Sequence, residues 1–112
     1  MIEVLHSKIH GGTITGADLY YEGSISLSKE YLEFTGIKPY QKVLVADIDN
    51  GQRFETYVIL AEEPNTIIVN GSAARLVHPG DKCIIMAFKY VSELEEGYEP
   101  AILILDDKNN MV

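Results

Sequence analysis

The chain has a single cysteine, no tryptophan, three histidines, and only nine lysines and arginines against seventeen aspartates and glutamates. Each shortage excludes something. With Cys83 alone no disulfide framework can form within the chain, and its place in the apolar run Lys82 to Tyr90 marks it as a small buried hydrophobe. The scattered histidines lack metal-ligand spacing and the carboxylates follow no calcium-loop pattern, so no metal is expected. No Gly-x-Gly-x-x-Gly or phosphate-loop pattern opens a helix, which argues against nucleotide chemistry. A formal net charge of −8 repels phosphate backbones and anionic lipid, so neither a nucleic-acid nor a membrane partner is expected. No uninterrupted apolar run approaches about 18 residues, and Met1 to Lys8 lacks a basic start followed by an apolar stretch. The simplest expectation is a soluble cytoplasmic protein. An acidic ligand would have to be met by a local cation, for which Lys8, Arg53 and Arg75 are the first candidates.

What is present is a chain of 112 residues, 46% of them hydrophobic, enough for one packed domain spanning residues 1–112. A core of this size gives modest stability, which makes self-association plausible. Short alternating or β-branched runs separated by turn signals predict a mainly β domain of Greek-key or barrel type. Val4 to Ile9 and Thr13 to Leu19 read as the first strands, divided by Gly11-Gly12, and Ser24 to Leu27 as a short extended piece. Ser28 is a good N-cap for a helix bearing Tyr31, Leu32 and Phe34 as its apolar stripe and stopping at Gly36. Val43 to Ile48 and Phe54 to Leu60 flank Asn50-Gly51, a dipeptide suited to a type I′ hairpin. Thr66 to Val69 follows as a strand, Asn70 to Arg75 as a turn into one helical turn, and Pro79-Gly80-Asp81 as a turn before the strand Lys82 to Tyr90. Ala101 to Leu105 reads as an edge strand.

The segment that carries chemistry is Tyr20-Tyr21-Glu22-Gly23-Ser24, a hydroxyl directly after a glycine at the end of a strand. A serine can attack the preceding peptide carbonyl only if that peptide is turned unusually, and glycine permits the turn. Gly71-Ser72 is a second such pair. Read without context, both are ordinary turns, and Thr56 and Tyr57 are cross-strand packing residues. On the same reading Arg53 is a solvated cation and Lys8 is strand surface.

The chain resembles the bacterial aspartate 1-decarboxylase family over nearly its whole length. The resemblance rests on Ser7-Lys8-Ile9-His10, Ala17 to Ser24, Asn50-Gly51-Gln52-Arg53-Phe54-Glu55-Thr56-Tyr57 and Val69-Asn70-Gly71-Ser72-Ala73-Ala74, in that order and spacing. It implies a double-psi β-barrel with one or two short helices, and a homotetramer with active sites between subunits. It also implies autocatalytic cleavage between Gly23 and Ser24, into a short β chain and a longer α chain, with Gly71-Ser72 the decoy. Ser24 would become the pyruvoyl group, the cofactor that forms a Schiff base with L-aspartate. The family's reaction releases carbon dioxide and β-alanine for pantothenate and coenzyme A synthesis.

By the same resemblance Thr56 supports cleavage, Arg53 holds the substrate side-chain carboxylate and Lys8 adds a second positive charge. Tyr57 donates the proton, Tyr21 shapes the pocket, and Asn70 with the Gly71, Ser72, Ala73 and Ala74 backbone forms the pocket segment. His10 fits either turn packing or chemistry. Ser72 departs from the family's usual alanine, and Gly11-Gly12 after His10 is a second departure. A maturation factor for the zymogen is left open. The alternative reading is a non-enzymatic small β-barrel that binds a ligand or partner and stays uncleaved.

Overall fold

A computed structural model describes residues 1–112. The elements in chain order are β1 (Ile2–Thr13), β2 (Gly16–Asp18), β3 (Ser24–Ser28), α1 (Lys29–Thr35), β4 (Lys42–Asp47), β5 (Arg53–Ala61) and β6 (Ile67–Asn70). A 3-10 helix (Gly71–Leu76), β7 (Lys82–Val91) and β8 (Ala101–Ile104) complete the chain. The fold is mainly β, as the strand-forming runs predict, with one short α-helix and one 3-10 turn.

The strands pair in the order β2-β6-β3-β5-β4-β7-β1-β8. In this order β2 lies at one edge and β1 next to the other, yet only Ile14 and Thr15 separate them in the chain. Two residues span at most about 7 Å, so the sheet has to roll until its edges meet. The join is hydrogen-bonded on both sides: Ile14 N–H donates to the Asp81 carbonyl (2.8 Å) and Thr15 N–H to the Ile67 carbonyl (2.7 Å). The result is a closed barrel with parallel pairs β2–β6 and β3–β5 and antiparallel pairs β3–β6, β4–β5, β4–β7 and β1–β7. Its interior is filled by Ile9, Ile14, Ile25, Leu27, Val43, Val45, Val58, Ile67, Val69 and Ile85, each no more than 2% exposed. Burying each such side chain stabilises the fold by roughly 1.5–3 kcal/mol before entropy is counted.

Several local expectations are corrected. Gly11-Gly12 does not divide two strands, because β1 runs through it with a bulge opposite β7 between His10 and Gly12. Gly11 has φ +80°, the conformation a bulge of this kind takes from glycine, while a Cβ on Gly12 would lie 2.5 Å from Ile67 Cδ1. The expected strand Thr13 to Leu19 shrinks to β2, because Ile14 and Thr15 are used to close the barrel. Ser28 stands at the N-cap of α1 but caps no helix N–H. Its hydroxyl instead donates to the Glu63 carbonyl (2.9 Å) and accepts from Thr66 N–H (2.7 Å), tying α1 to the chain before β6. The buried face of α1 is Tyr31, Leu32 and Thr35, and Phe34 is half exposed. Gly36 ends the helix at φ 78°, with its N–H on the Leu32 carbonyl. The β4–β5 connection is longer than a two-residue type I′ turn. Gly51 alone has positive φ, and Asp47 Oδ1 accepts from the N–H groups of Asp49 (2.9 Å) and Asn50 (3.2 Å).

Candidate active site

Ser24 begins β3, between β5 and β6, with the neighbouring Ile25 opposite Val58 on β5 and Ser24 itself opposite Asn70 on β6. The alternation of β3 sends Ile25 and Leu27 into the core and leaves Ser24 and Ser26 on the outer face. Both serines are nevertheless buried, Ser24 at 1% exposure, because Asn70 covers them. The Asn70 amide donates to Ser24 Oγ (3.0 Å) and to Ser26 Oγ (3.0 Å). Asn70 also occupies the N-cap position of the 3-10 helix, where its side chain makes no cap bond and is left free for the serines. The Ser24 hydroxyl donates back to the Glu22 carbonyl (3.3 Å), so its oxygen is fixed beside the Gly23–Ser24 peptide.

Gly71 makes this turn possible. It has φ +78°, and a Cβ there would stand 2.6 Å from Gly23 Cα and 2.8 Å from Gly23 N. The two glycines of the two Gly-Ser pairs thus pack against each other, and the pair that reads as a decoy supports the turn of the first. Ser72 itself is exposed, while Ala73 and Ala74 are half-buried in the 3-10 helix.

Ser24 opens into a cleft of about 380 Å³ lined by Tyr21, Glu22, Tyr40, Tyr57, Ile59 and Leu60 among others. That volume falls in the range of small-molecule sites. Tyr57 leans over it from β5, stacked on Tyr40 with ring centroids 6.3 Å apart and planes at 27°. Tyr40 has φ 70°, a left-handed conformation costly for a bulky residue, and its N–H is held by the Val58 carbonyl (2.6 Å). Sequence reasoning missed Tyr40, Glu22 and Ser26. Tyr40 is reached through tertiary packing of the α1–β4 loop on β5, for which no local signal exists.

The remaining expected residues stand apart from this cleft. Thr56 is half-buried with its side chain on the face of β5 opposite to Tyr57. Arg53 is exposed at the start of β5, four residues before Tyr57, about 13 Å along the strand. Lys8 pairs with Met86, Met86 with Leu44, and Leu44 with Glu55, so it lies three strand spacings, about 14 Å, from β5. Neither Lys8 nor Arg53 forms an ion pair, and the two salt bridges present are Lys42–Glu55 and Lys82–Asp107. Arg75 is exposed. A cleft of about 620 Å³ between β4, β5 and β7, edged by Glu3, Lys42, Phe88 and Tyr90, holds none of the candidates.

Three further groups complete the picture. Cys83 is fully buried and its thiol is pushed up to about 12, chiefly by burial, which leaves it a neutral core group. His10 Nδ1 is buried without a hydrogen-bond partner. Asp47, Asp49 and Asp81, too far apart in sequence to read as a motif, offer ligand atoms within 4.8 Å of one another. No helix is long and apolar enough to cross a membrane.

Comparison with known proteins bears on this arrangement. The model of the family described as aspartate decarboxylase matches residues 1–112. An aspartate 1-decarboxylase of Caldicellulosiruptor bescii is 51% identical, over 99% of this chain and 88% of its own. Those of Thermosipho africanus and Clostridium botulinum are 49% and 47% identical, over 97% and 98% of this chain and 91% and 88% of theirs. Among solved structures, a rationally designed protein, mkDPBB_sym_86, aligns over 69% of this chain and 90% of its own, at 16% identity and a TM-score of 0.48. A family match over every residue, with relatives near half identical along nearly their whole length, is decisive: the chain belongs to the aspartate decarboxylase family.

Proposed function

We propose that the chain is the precursor of a self-processing enzyme that removes the α-carboxylate of L-aspartate to give β-alanine and carbon dioxide. The observation that carries this reading is the clamp on Ser24: a buried hydroxyl directly after Gly23, held by Asn70 and the Glu22 carbonyl, at the floor of a cleft under Tyr57. A fixed nucleophile beside its own peptide carbonyl has the proximity that intramolecular acyl transfer exploits.

Cleavage then proceeds through this chain's own atoms. Ser24 Oγ adds to the Gly23 carbonyl carbon, the C–N bond breaks, and the nitrogen takes a proton, leaving an ester and a free amine. Loss of the Ser24 α-proton expels the Gly23 carboxylate from Cβ and leaves a dehydroalanine. Hydrolysis releases ammonia and gives the pyruvoyl group at position 24. Thr56, whose support of cleavage is implied by the family resemblance, lies on the face of β5 opposite to Tyr57, so its assignment to the oxyanion rests on that resemblance and not on a contact within one chain. The residues around position 24 suit such a group: the Asn70 amide is a ready donor to a carbonyl oxygen, and Gly71, lacking a Cβ, lets the Gly23 backbone pack closely beside it. When formed, the group supplies an electron-accepting carbonyl for loss of carbon dioxide. Tyr57, in the wall of the cleft, is assigned to return a proton to the carbon that loses its carboxylate, and Tyr21 lines the same cleft.

A substrate dicarboxylate needs cations, and the cleft of one chain has none. Lys8 and Arg53 lie on strand faces remote from their own Ser24, which supports a reading in which they serve the Ser24 of a neighbouring subunit. The exposed apolar side chains Leu60, Phe88, Tyr90, Ile102 and Ile104 favour such self-association, and a homotetramer working in the cytoplasm is the form proposed. The test is intact mass after prolonged incubation, with carbon dioxide release from L-aspartate. Wild type should give two fragments and activity. Ser24→Ala should give neither, while Ser72→Ala, an exposed position, should keep both. A wild-type chain that stays whole and inactive would favour the uncleaved binding module, unless a maturation factor added to it restores cleavage.

A further inference from the structure

We infer that Asp47, Asp49 and Asp81 form a binding site for one hard divalent cation of the Mg²⁺ or Ca²⁺ kind, where the β4–β5 hairpin meets the entry to β7. The three carboxylates are brought together by the pairing of Asp47 with Cys83 across β4 and β7. Each spends one oxygen on backbone. Asp47 Oδ1 accepts from Asp49 and Asn50 N–H, Asp49 Oδ2 from Lys82 N–H (2.8 Å), and Asp81 Oδ2 from His78 N–H (3.0 Å). The side chains are therefore held, and each has a second oxygen to give.

The distances suit a shared ion. One ligand atom from each lies within 4.8 Å of the others. Two oxygens bound to a common Ca²⁺ at about 2.4 Å each are separated by at most about 4.8 Å, and by at most about 4.2 Å for Mg²⁺, so the larger ion needs the smaller adjustment of the side chains. The second observation is independent of the cluster's composition. Asp47 is 1% exposed, and its Oδ2 is buried with no hydrogen-bond partner. An orphaned carboxylate oxygen in the interior is costly and calls for a proton or a cation. A proton shared between Asp47 and Asp81 would satisfy that pair and leave Asp49 as an added negative charge beside it. One divalent ion answers all three. Lys82, next in sequence to Asp81, does not compete, since its Nζ bonds to Thr13 Oγ1 (2.7 Å) and Asp107 Oδ1 (2.9 Å). The ion would pin the hairpin from which β5 starts, and with it Arg53, to the entry of β7, the strand paired with β4.

The experiment is thermal unfolding and calorimetric titration of the full-length protein at pH 7.5, freed of metal with a chelator. MgCl₂ or CaCl₂ is then added, with NaCl at matched ionic strength as control. The expected result is a saturable rise in Tm and a binding heat of one ion per chain, half-complete at about 0.1–1 mM. Asp47→Asn should abolish both. Asp49→Asn, at an exposed loop position where folding is not at risk, should weaken binding at least tenfold. Absence of a saturable response in wild type, or a response in Asp49→Asn equal to that of wild type, overturns the proposal. Asp47→Asn matching wild-type stability with no ion bound to either protein would identify a shared proton in its place.

Discussion

At the scale of the residue, the two Gly-Ser pairs show how a local motif acquires meaning from what it touches. Gly23 has no neighbour within 4 Å of a Cβ built on it, so its freedom alone does not set the turn, whereas Gly71 is wedged against the backbone of Gly23 at positive φ. Gly71→Ala should therefore cost about 2–4 kcal/mol, combining a left-handed penalty with a backbone clash, and should slow or stop chain cleavage. Denaturant unfolding and intact mass check it, and cleavage at the wild-type rate would show that the close approach is incidental. Tyr40 is the converse case. Replacing it with glycine relieves the strain at φ 70° and should raise stability by about 1 kcal/mol. It also removes the ring against which Tyr57 stacks, so kcat should fall several-fold. A stability gain with unchanged kcat would mean that Tyr57 is positioned without its neighbour.

At the scale of the element, the hairpin joining β4 to β5 carries a pH dependence. The Asp47 carboxyl is pushed up from the ordinary 3.8 to about 6, first by burial and then by its contact with Asp81. The folded chain then keeps a proton that the unfolded chain releases near pH 4. Stability should accordingly fall as pH rises from about 4 to about 6, by on the order of 3 kcal/mol. Asp81 is shifted the other way, and its own effect falls below pH 4, outside this window. Urea unfolding of wild type and Asp47→Asn at intervals across that range, without divalent ions, measures the difference. A wild-type curve parallel to that of Asp47→Asn would remove the assignment.

The strands of this hairpin were legible from alternation and from Asn50-Gly51, and the helix from Ser28 and Gly36. The longer loop was not, because Asp47 reorganises it by accepting two backbone N–H groups. Ser24, Asn70 and Tyr57 could be named from sequence because a resemblance spanned them. Tyr40 and the convergence of Asp81 on Asp47 could not, since the first depends on a loop folding over β5 and the second on pairing between strands 36 residues apart.

At the scale of the whole molecule, the separation of Lys8 and Arg53 from Ser24 within one chain leads to a mixing experiment. Arg53→Gln alone should cleave normally but decarboxylate much more slowly, because a bound carboxylate loses a charge-assisted partner. Ser24→Ala alone should be inert. If the cations act across subunits, unfolding and refolding the two variants together, with Arg53→Gln taken before it has cleaved, should regenerate measurable activity, since some sites pair an intact Ser24 with a neighbour's Arg53. Activity no greater than that of Arg53→Gln alone would place both groups in one subunit's site.

The two-residue link that closes the barrel has a consequence for the protein under the proposed cleavage. β1 and β2 fall on the N-terminal side of Gly23, yet β1 is bonded to both β7 and β8, and β2 to β6. Residues 1–23 are therefore woven through the body of the rest, and cleavage after Gly23 would yield a nicked molecule, not a shed propeptide. Cutting nonetheless changes the molecularity of folding. The intact chain closes its barrel as one body, at a rate independent of concentration. The matured pair, once separated in denaturant, has to find its partner by collision and loses the effective concentration that the covalent link supplied. Refolding of Ser24→Ala should thus return native signal equally well at any dilution, apart from subunit assembly. Matured protein should recover its monomer fold less completely as it is diluted. Equal recovery of barrel structure by both, across a hundredfold dilution, would mean that the longer piece folds without β1.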